Sequence, residues 1–551
     1  MKKFVFLMFL YAGFVQAQQE VQEHAWVYFK NKPDAVYFLQ APHLMLSQKA
    51  LDRRSKQGLA PNEQDVPLCP DYVSSVATGT GITVKARSKW LNAVHVLGTE
   101  FAISNLQNLT GVDSIQFANK NINAIQSSTT VSQQKKSKIN QLKTIASYSY
   151  GNATNQTTML GVDTFHNATY EGQGLQIAII DSGFFGTDTA GAFHHLVDGD
   201  FSNGEILGGH NYVNNTTDFY AQTGSTHGTQ VLSTIAGVIE GEFVGTAPKA
   251  SFYLFVTEDV DHETPLEESL WVQAAEKADS LGVDIINTSL GYSEFDESKY
   301  NYTYADMDGK TTFISRGATI AAQKGMIVVN SAGNSGNDSW KYITAPADAD
   351  GVISVGAVDT NESVTAFSSY GPTADNRIKP ETLAQGGDVF VVEENNTVVA
   401  SNGTSFSGPI ISGVSACLWQ AFPNKTSVEI RQMIIENSED YLNPTAQGGY
   451  GILRIGHLAS QLTLSPVKEI DKAPFYLLFL NHSKVIQFQF YKPQTEVLKV
   501  ELFSVTGRVL ERKEIKGNYN QVDISSYANG LYYLRYRYQG KNQIMTLYKI
   551  D

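Results

Sequence analysis

At 551 residues the chain is roughly three to four times the length of an ordinary domain, so several modules are expected along it. Its 55 acidic and 41 basic residues leave a formal net charge of −14, which speaks against nucleic acid or another polyanion as a partner. Two cysteines, Cys69 and Cys417, are too few and too far apart to staple such a chain, and a large hydrophobic core must stabilise it instead.

The chain opens with Met1-Lys2-Lys3, a short apolar run over 4–15 and the small Ala17, the three parts of a secretory signal peptide over 1–17. That run is too short to cross a bilayer, and no later run reaches about 18 to 20 apolar residues, so no membrane-spanning segment is expected. Residues 25–120 read as a compact α/β unit, with strands at 26–29, 82–86 and 93–97 and a helix at 47–57. Residues 121–143 turn polar and suit a solvated linker open to proteolysis. Domain and linker together occupy 18–140.

Between 148 and 462 short apolar runs alternate with helical segments. The runs at 175–180, 252–256, 283–286, 326–329 and 352–358 suit strands buried on both faces. One helix is signalled at both ends, by Thr264 as N-cap, Pro265, Glu267 and Glu268 in its first turn, and Gly282 just past its end. The pattern predicts an α/β domain whose mainly parallel sheet is flanked by helices. Beyond 465 the helical pattern stops. Strand-like segments at 499–505 and 531–538, with turns at Thr506-Gly507 and Asn529-Gly530, predict a small β module over 465–551.

Four residues in the central domain stand where chemistry is done. Asp181 follows the first apolar run, at the carboxyl end of a buried strand. His227 lies in Gly224-Ser225-Thr226-His227-Gly228-Thr229, small neighbours that leave an imidazole room to reach another side chain. Ser405, in Gly403-Thr404-Ser405-Phe406-Ser407-Gly408-Pro409, opens an apolar helix over 404–421, where free N–H groups and the helix dipole favour negative charge. Asn334, in Ala332-Gly333-Asn334, follows another buried strand and carries an amide that can donate to an anion. Singly, each is as readily a turn former or helix cap; jointly they form a nucleophile, a base, an orienting acid and an oxyanion donor. Cys417, inside the Ser405 helix, reads as a small buried hydrophobe.

The order Asp, His, Ser and the boxes Ile179-Ile180-Asp181-Ser182-Gly183, His227-Gly228-Thr229, Ala332-Gly333-Asn334 and Gly403-Thr404-Ser405 resemble those of the subtilisin-like serine proteases, over about 315 residues. The resemblance implies a secreted serine endopeptidase with Asp181, His227 and Ser405 as triad and Asn334 in the oxyanion hole. It implies that Ser289, Leu290 and Gly291, with Ala332 and Gly333, flank the substrate and line its primary pocket. No acid lies in those segments, which favours an apolar residue before the cut, unless Glu294, Asp296 or Glu297 of the long following loop borders the cleft. The chemistry needs no cofactor; structural calcium is common in the family, but no Asp-rich loop identifies ligands.

The implied partners are protein or peptide substrates, the chain's own N-terminal domain as an intramolecular inhibitory propeptide, and an export machinery. A retained N-terminal domain fits the same residues. Val505-Thr506-Gly507-Arg508-Val509 and Ser525-Ser526-Tyr527-Ala528-Asn529-Gly530-Leu531-Tyr532 resemble the C-terminal sorting domains of type IX secretion. The usual Pro-Asn-Pro is missing, and a plain β-sandwich accessory module is the alternative. A different class of function, a catalytically silent fold used for binding, is opposed by the complete set of four residues. A processing protease with few targets is a further alternative, which an acidic cleft would favour.

Overall fold

The computed structural model describes residues 21–123, 148–198, 204–462 and, between 475 and 549, the strands and short connections of the C-terminal region. The signal-like segment 1–17 and most of the expected linker lie outside these residues. The described start of that linker, 121–123, is the end of a short helix, Lys120–Asn123.

The N-terminal unit is a four-stranded antiparallel sheet of β1 (Gln22–Phe29), β2 (Thr83–Ser88), β3 (Ala93–Thr99) and β4 (Val112–Phe117), in the order β2-β3-β1-β4. Strand alternation gives β1 two apolar faces. Ala25, Val27 and Phe29 pack under Val73 and Val76 of helix Pro70–Ala77 and Ile103 of helix Glu100–Asn105. Trp26 points the other way, into the core of the next domain, where it stacks on Phe313 with ring centroids 4.9 Å apart.

The central domain holds β5 (Gln176–Asp181), β6 (Ile206–Asn211), the small pair β7 (Val238–Ile239) and β8 (Phe243–Val244), β9 (Ser251–Val256), β10 (Ile285–Thr288), β11 (Ile327–Ser331), β12 (Val352–Val358), β13 (Thr382–Gln385) and the hairpin β14 (Val389–Val392) and β15 (Val398–Ser401). Seven of these form one sheet in the order β13-β12-β11-β10-β5-β9-β6, with every neighbouring pair parallel. The apolar runs mark its five central strands. Its two edge strands escaped the sequence, because Ile206–Asn211 carries two glycines and Thr382–Gln385 is polar at both ends.

Period-two alternation sorts this sheet into two cores. Ile177, Ile179, Ile285, Val329 and Ile353 face helices His227–Ala236 and Thr404–Ala421, through Val231, Ile235, Phe406, Ile410 and Val414. Ala178, Ile180, Ile286, Val328 and Val352 face helices Pro265–Leu281 and Phe313–Gln323, through Trp271, Ala275, Ile314 and Ala321. At about 1.5–3 kcal/mol for each large side chain buried, two such layers stabilise the domain without cross-links. Both cysteines are free; Cys417 is buried, and burial pushes its thiol far above the ordinary range, as an inert hydrophobe requires. The signals read for Pro265–Leu281 operate as expected: Thr264 and Glu267 form a capping box, and Gly282 closes the helix at φ 95°.

The N-terminal sheet rests on the outer side of the Pro265–Leu281 and Phe313–Gln323 layer. Glu276 accepts from Ser88 Oγ and the Trp90 nitrogen at 2.6 and 2.9 Å, and Ser269 Oγ accepts from Trp26 Nε1 at 2.8 Å. A buried ion network crosses the same boundary. Arg54 binds Asp65 through both terminal nitrogens at 2.7 and 2.8 Å, and Asp279 at 2.5 Å; Arg53 binds the other Asp279 oxygen at 2.5 Å. Lys324 lies 3.1 Å from Asp65.

The C-terminal region forms two antiparallel sheets, one of β16 (Phe475–Leu480), β17 (Val485–Phe490) and β20 (Tyr519–Asp523), the other of β18 (Leu498–Ser504), β19 (Val509–Ile515), β21 (Gly530–Tyr538) and β22 (Lys541–Lys549). Val500, Leu502, Leu534 and Tyr536 are buried on one side of the second sheet, while Glu501 pairs with Arg512 and Arg535 on the other. Among the described residues no helix is long and apolar enough to cross a membrane.

Candidate active site

The carboxyl edge of the sheet gathers the residues singled out in the sequence. Asp181 ends β5 and is fully buried. Its Oδ1 accepts from His227 Nδ1 at 2.7 Å and from the Ser182 nitrogen at 2.8 Å. His227 opens its helix, which drops onto the sheet because Gly228 lets the chain approach Phe184 and the Gly183 carbonyl; an added Cβ would lie 2.6 Å from that oxygen. The imidazole keeps 29 % of its surface exposed, enough for a substrate to reach it.

Burial pulls the His227 pKa down, but the Asp181 charge and hydrogen bond outweigh it and Glu258 adds to them, so the net shift is upward. A base so placed holds a proton more firmly than free imidazole. Ser405 stands in the first turn of its helix, its carbonyl accepting from Ser289 Oγ at 2.8 Å. The next side chain, Phe406, lies with its ring 5.8 Å from that of His227. No hydrogen bond joins the His227 ring to the Ser405 hydroxyl in this geometry, and such bonds often tighten only around substrate.

Asn334 is exposed, and its orientation is set by Thr404. The Thr404 nitrogen and hydroxyl both donate to Asn334 Oδ1, at 2.8 and 2.9 Å, and the amide nitrogen lies 3.6 Å from where a Cβ on Gly403 would stand. Gly403, at φ 150°, takes a backbone conformation that L side chains rarely adopt. Thr404 Oγ1 also accepts from the Gly333 nitrogen at 3.2 Å. The sequence offered Thr404 only as a helix cap and did not assign it this role beside Asn334.

The segments expected to flank substrate lie beside the same centre. Ser289, Leu290 and Gly291 continue β10; Asn330 Nδ2 donates to the Leu290 carbonyl at 3.1 Å, and Gly291 sits so close to Thr344 that a Cβ there would lie 2.0 Å from its hydroxyl. Ala332 is buried and Gly333 turns at φ 105° on the facing strand end.

An acidic group stands near the pair that the sequence did not single out. Glu258 lies two residues past Val256, which pairs with Asp181 across β9 and β5. It accepts from Tyr292 Oη, and its carboxylate oxygens gather with those of Glu263 and Glu267 within 4.8 Å. Glu267 spends its oxygens on the Asp259 and Thr264 nitrogens, at 2.8 and 2.9 Å. Burial pushes all three carboxyls above the usual carboxylate range, and repulsion adds to it, from Glu263 and Asp181 at Glu258, from Asp296 at Glu263, and from Glu258 and Glu263 at Glu267. Of the loop acids considered from sequence, Asp296 donates its nitrogen to the Glu263 carbonyl at 3.0 Å, while Glu297 pairs with Lys299. A charged residue two places past an apolar run was the available signal for Glu258, a looser form of the one that marks Asp181, which follows its run directly.

Comparison with known proteins adds three matches along the chain. Residues 172–452 match the model of the subtilase family, residues 24–148 that of the Bacteroidota peptidase S8 propeptide domain, and residues 482–549 that of the secretion system C-terminal sorting domain. Subtilisin DY of Bacillus licheniformis is 27 % identical over 299 residues, 54 % of this chain and 95 % of the relative. Subtilisin E of Bacillus subtilis (strain 168) is 29 % identical over 294 residues, 53 % of this chain and 67 % of the relative. The thermostable alkaline protease of Halalkalibacterium halodurans is 29 % identical over 292 residues, 53 % of this chain and 69 % of the relative.

Proposed function

Since the chain belongs to the subtilase family and is a serine endopeptidase with a propeptide and a secretion sorting domain, we propose that Asp181, His227 and Ser405 are its triad and Asn334 its side-chain oxyanion donor. Ser405 Oγ attacks the scissile carbonyl as His227 Nε2 takes its proton. The same nitrogen returns that proton to the leaving amine, and a water then repeats the sequence to release the acyl group. Asp181 holds the imidazole by Nδ1 and stabilises it while it is charged. Negative charge developing on the carbonyl oxygen meets the Asn334 amide and the Ser405 N–H at the start of an 18-residue helix.

The observation that carries this assignment is the Asp181 to His227 bond at 2.7 Å, together with the two bonds from Thr404 that fix Asn334 by its Oδ1 and leave the amide nitrogen beside Gly403. Substrate would lie between 289–291 and 332–333, its main chain bonding to theirs. The protein is secreted or held at the cell surface, as its sorting domain indicates, so its substrates are proteins or peptides outside the cell. No metal enters the reaction, and nucleic acid is no partner of so acidic a chain.

The test is covalent labelling of the mature protein by a fluorophosphonate, with casein digestion in parallel. Both should vanish in Ser405→Ala. Absence of labelling in folded protein freed of its N-terminal domain would refute the assignment.

A further inference from the structure

Two serines outside the chemistry just described close the Asp181 and His227 pair into a ring. Ser182 Oγ lies 3.2 Å from Asp181 Oδ1 and 2.8 Å from Ser225 Oγ, and Ser225 Oγ lies 3.2 Å from the main-chain nitrogen of His227. The direction of each proton is dictated by the partners at the two ends. An ionised carboxylate only accepts, so Ser182 donates to Asp181; a backbone N–H only donates, so Ser225 accepts from His227 and gives its own proton to Ser182. The imidazole Nδ1–H then closes the circuit on the same Asp181 oxygen.

The ring joins two loops that are distant in sequence. Asp181 ends β5 and Ser182 follows it, whereas Ser225 stands two residues before the helix that His227 begins, more than 40 residues later. Thr223 Oγ1 donates to the Ser182 carbonyl at 2.8 Å. A Cβ on Gly183 would lie 2.2 Å from Thr223 Oγ1 and 2.5 Å from the Ser225 carbonyl, so the two loops are in direct contact. The Asp181 to His227 bond by itself fixes a ring nitrogen and leaves the main chain behind it free to shift. Ser225 supplies the missing constraint on that main chain.

We propose that Ser225 is a positioning residue for the protease reaction: acting through Ser182, it ties the Asp181 carboxylate to the backbone that carries the His227 imidazole. The proposal rests on His227 being the base. The Ser182 hydroxyl and the imidazole Nδ1–H both end on Asp181 Oδ1, so the ring acts by fixing where that oxygen stands relative to the imidazole. A serine that merely capped the helix would contribute stability and leave the proton affinity of His227 untouched. That difference separates the two roles.

The experiment measures kcat, KM and the pH profile of the mature enzyme for Ser225→Ala, Ser182→Ala, their double variant and Ser225→Thr, with concentrations set by active-site titration. Ser225→Ala should lower kcat about five-fold at near-constant KM, the scale of one lost neutral hydrogen bond. It should also shift the ascending limb of the profile, as the carboxylate that supports the imidazolium is released from its position. The double variant should be no worse than the poorer single, since both break one ring, and Ser225→Thr should recover most of the rate. Unchanged kcat and limb with a lowered melting temperature would overturn the proposal in favour of a cap, and so would additive losses. If Ser225→Ala fails to fold, Ser182→Ala with the same two readouts tests the ring from its other side. Ser405→Ala runs alongside: wild-type turnover there would sink the triad itself, whereas its loss with an indifferent Ser225 would sink only the ring.

Discussion

Asp279→Asn should release the N-terminal domain from the protease without harming the protease. Asp279 sits in the last turn of Pro265–Leu281, where a negative charge opposes the helix dipole. The N-terminal domain explains its presence. Both carboxylate oxygens are engaged, one by Arg53 and the other by Arg54, each at 2.5 Å, with all three side chains at most 3 % exposed. Removing one member of a buried ion pair costs about 3–5 kcal/mol, because the partner charge is stranded. Arg54 keeps both its bonds to Asp65, and Arg53 keeps the Val283 carbonyl, which places this case near the lower end. About 3 kcal/mol corresponds to roughly a hundred-fold weaker docking. The assay is inhibition of the mature enzyme by the separately added N-terminal domain, which is itself unaltered, so its folding is not in question. Casein turnover without inhibitor should match wild type. An inhibition constant within about three-fold of wild type would refute the inference that this network holds the domains together.

Acid should loosen the same docking. His24 and His95 stand 2.9 Å apart nitrogen to nitrogen, and His95 Nδ1 reaches Ser269 Oγ at 2.7 Å. Burial lowers His24 to about 4, with Glu297 opposing and Lys299 and Lys85 assisting; burial, His24 and Lys85 carry His95 well below its ordinary value. Protons therefore favour the undocked state, and inhibition should be at full strength above pH 6.5, the unperturbed value, and weaken as pH falls toward 4; a constant unchanged between about pH 7.5 and pH 5 would contradict this. Asn334→Ala should lower kcat on the order of 10²- to 10³-fold with KM little changed, and a change confined to KM would remove Asn334 from the oxyanion hole. Because the His227 shift is upward, the rate should rise with pH along a limb centred above 6.5. Glu258→Gln should bring that limb down by removing one contributor, and a limb at or below 6.5 in wild type would refute the electrostatic account.

Much of the site was legible because its residues follow buried strands. Asp181 and Asn334 each succeed an apolar run, and the runs survive as β5 and β11 because parallel strands covered on both faces tolerate few polar residues. Helix Pro265–Leu281 could be read end to end, since its capping box and its left-handed Gly282 are local in the chain. Edge strands, and side chains whose role depends on a neighbour far along the chain, could not. Thr404, Ser225 and Glu258 acquire their roles only when a second loop is brought against them, and no pattern within one segment encodes that meeting. The cross-boundary network of Arg53, Arg54, Asp65 and Asp279 was hidden for the same reason.

Strand alternation divides the sheet so that Asp181 belongs with Ile177 and Ile179, on the side of the His227 and Ser405 helices, while Ala178 and Ile180 look toward the helices that carry the N-terminal domain. Inhibitor and chemistry are thus supported from opposite sides of one wall. The strength with which the inhibitory domain clings can drift over evolutionary time through residues such as Ser269, Glu276 and Asp279, none of which faces the triad's layer. A lineage can in this way retune when its enzyme becomes active while leaving untouched what the enzyme does once it is.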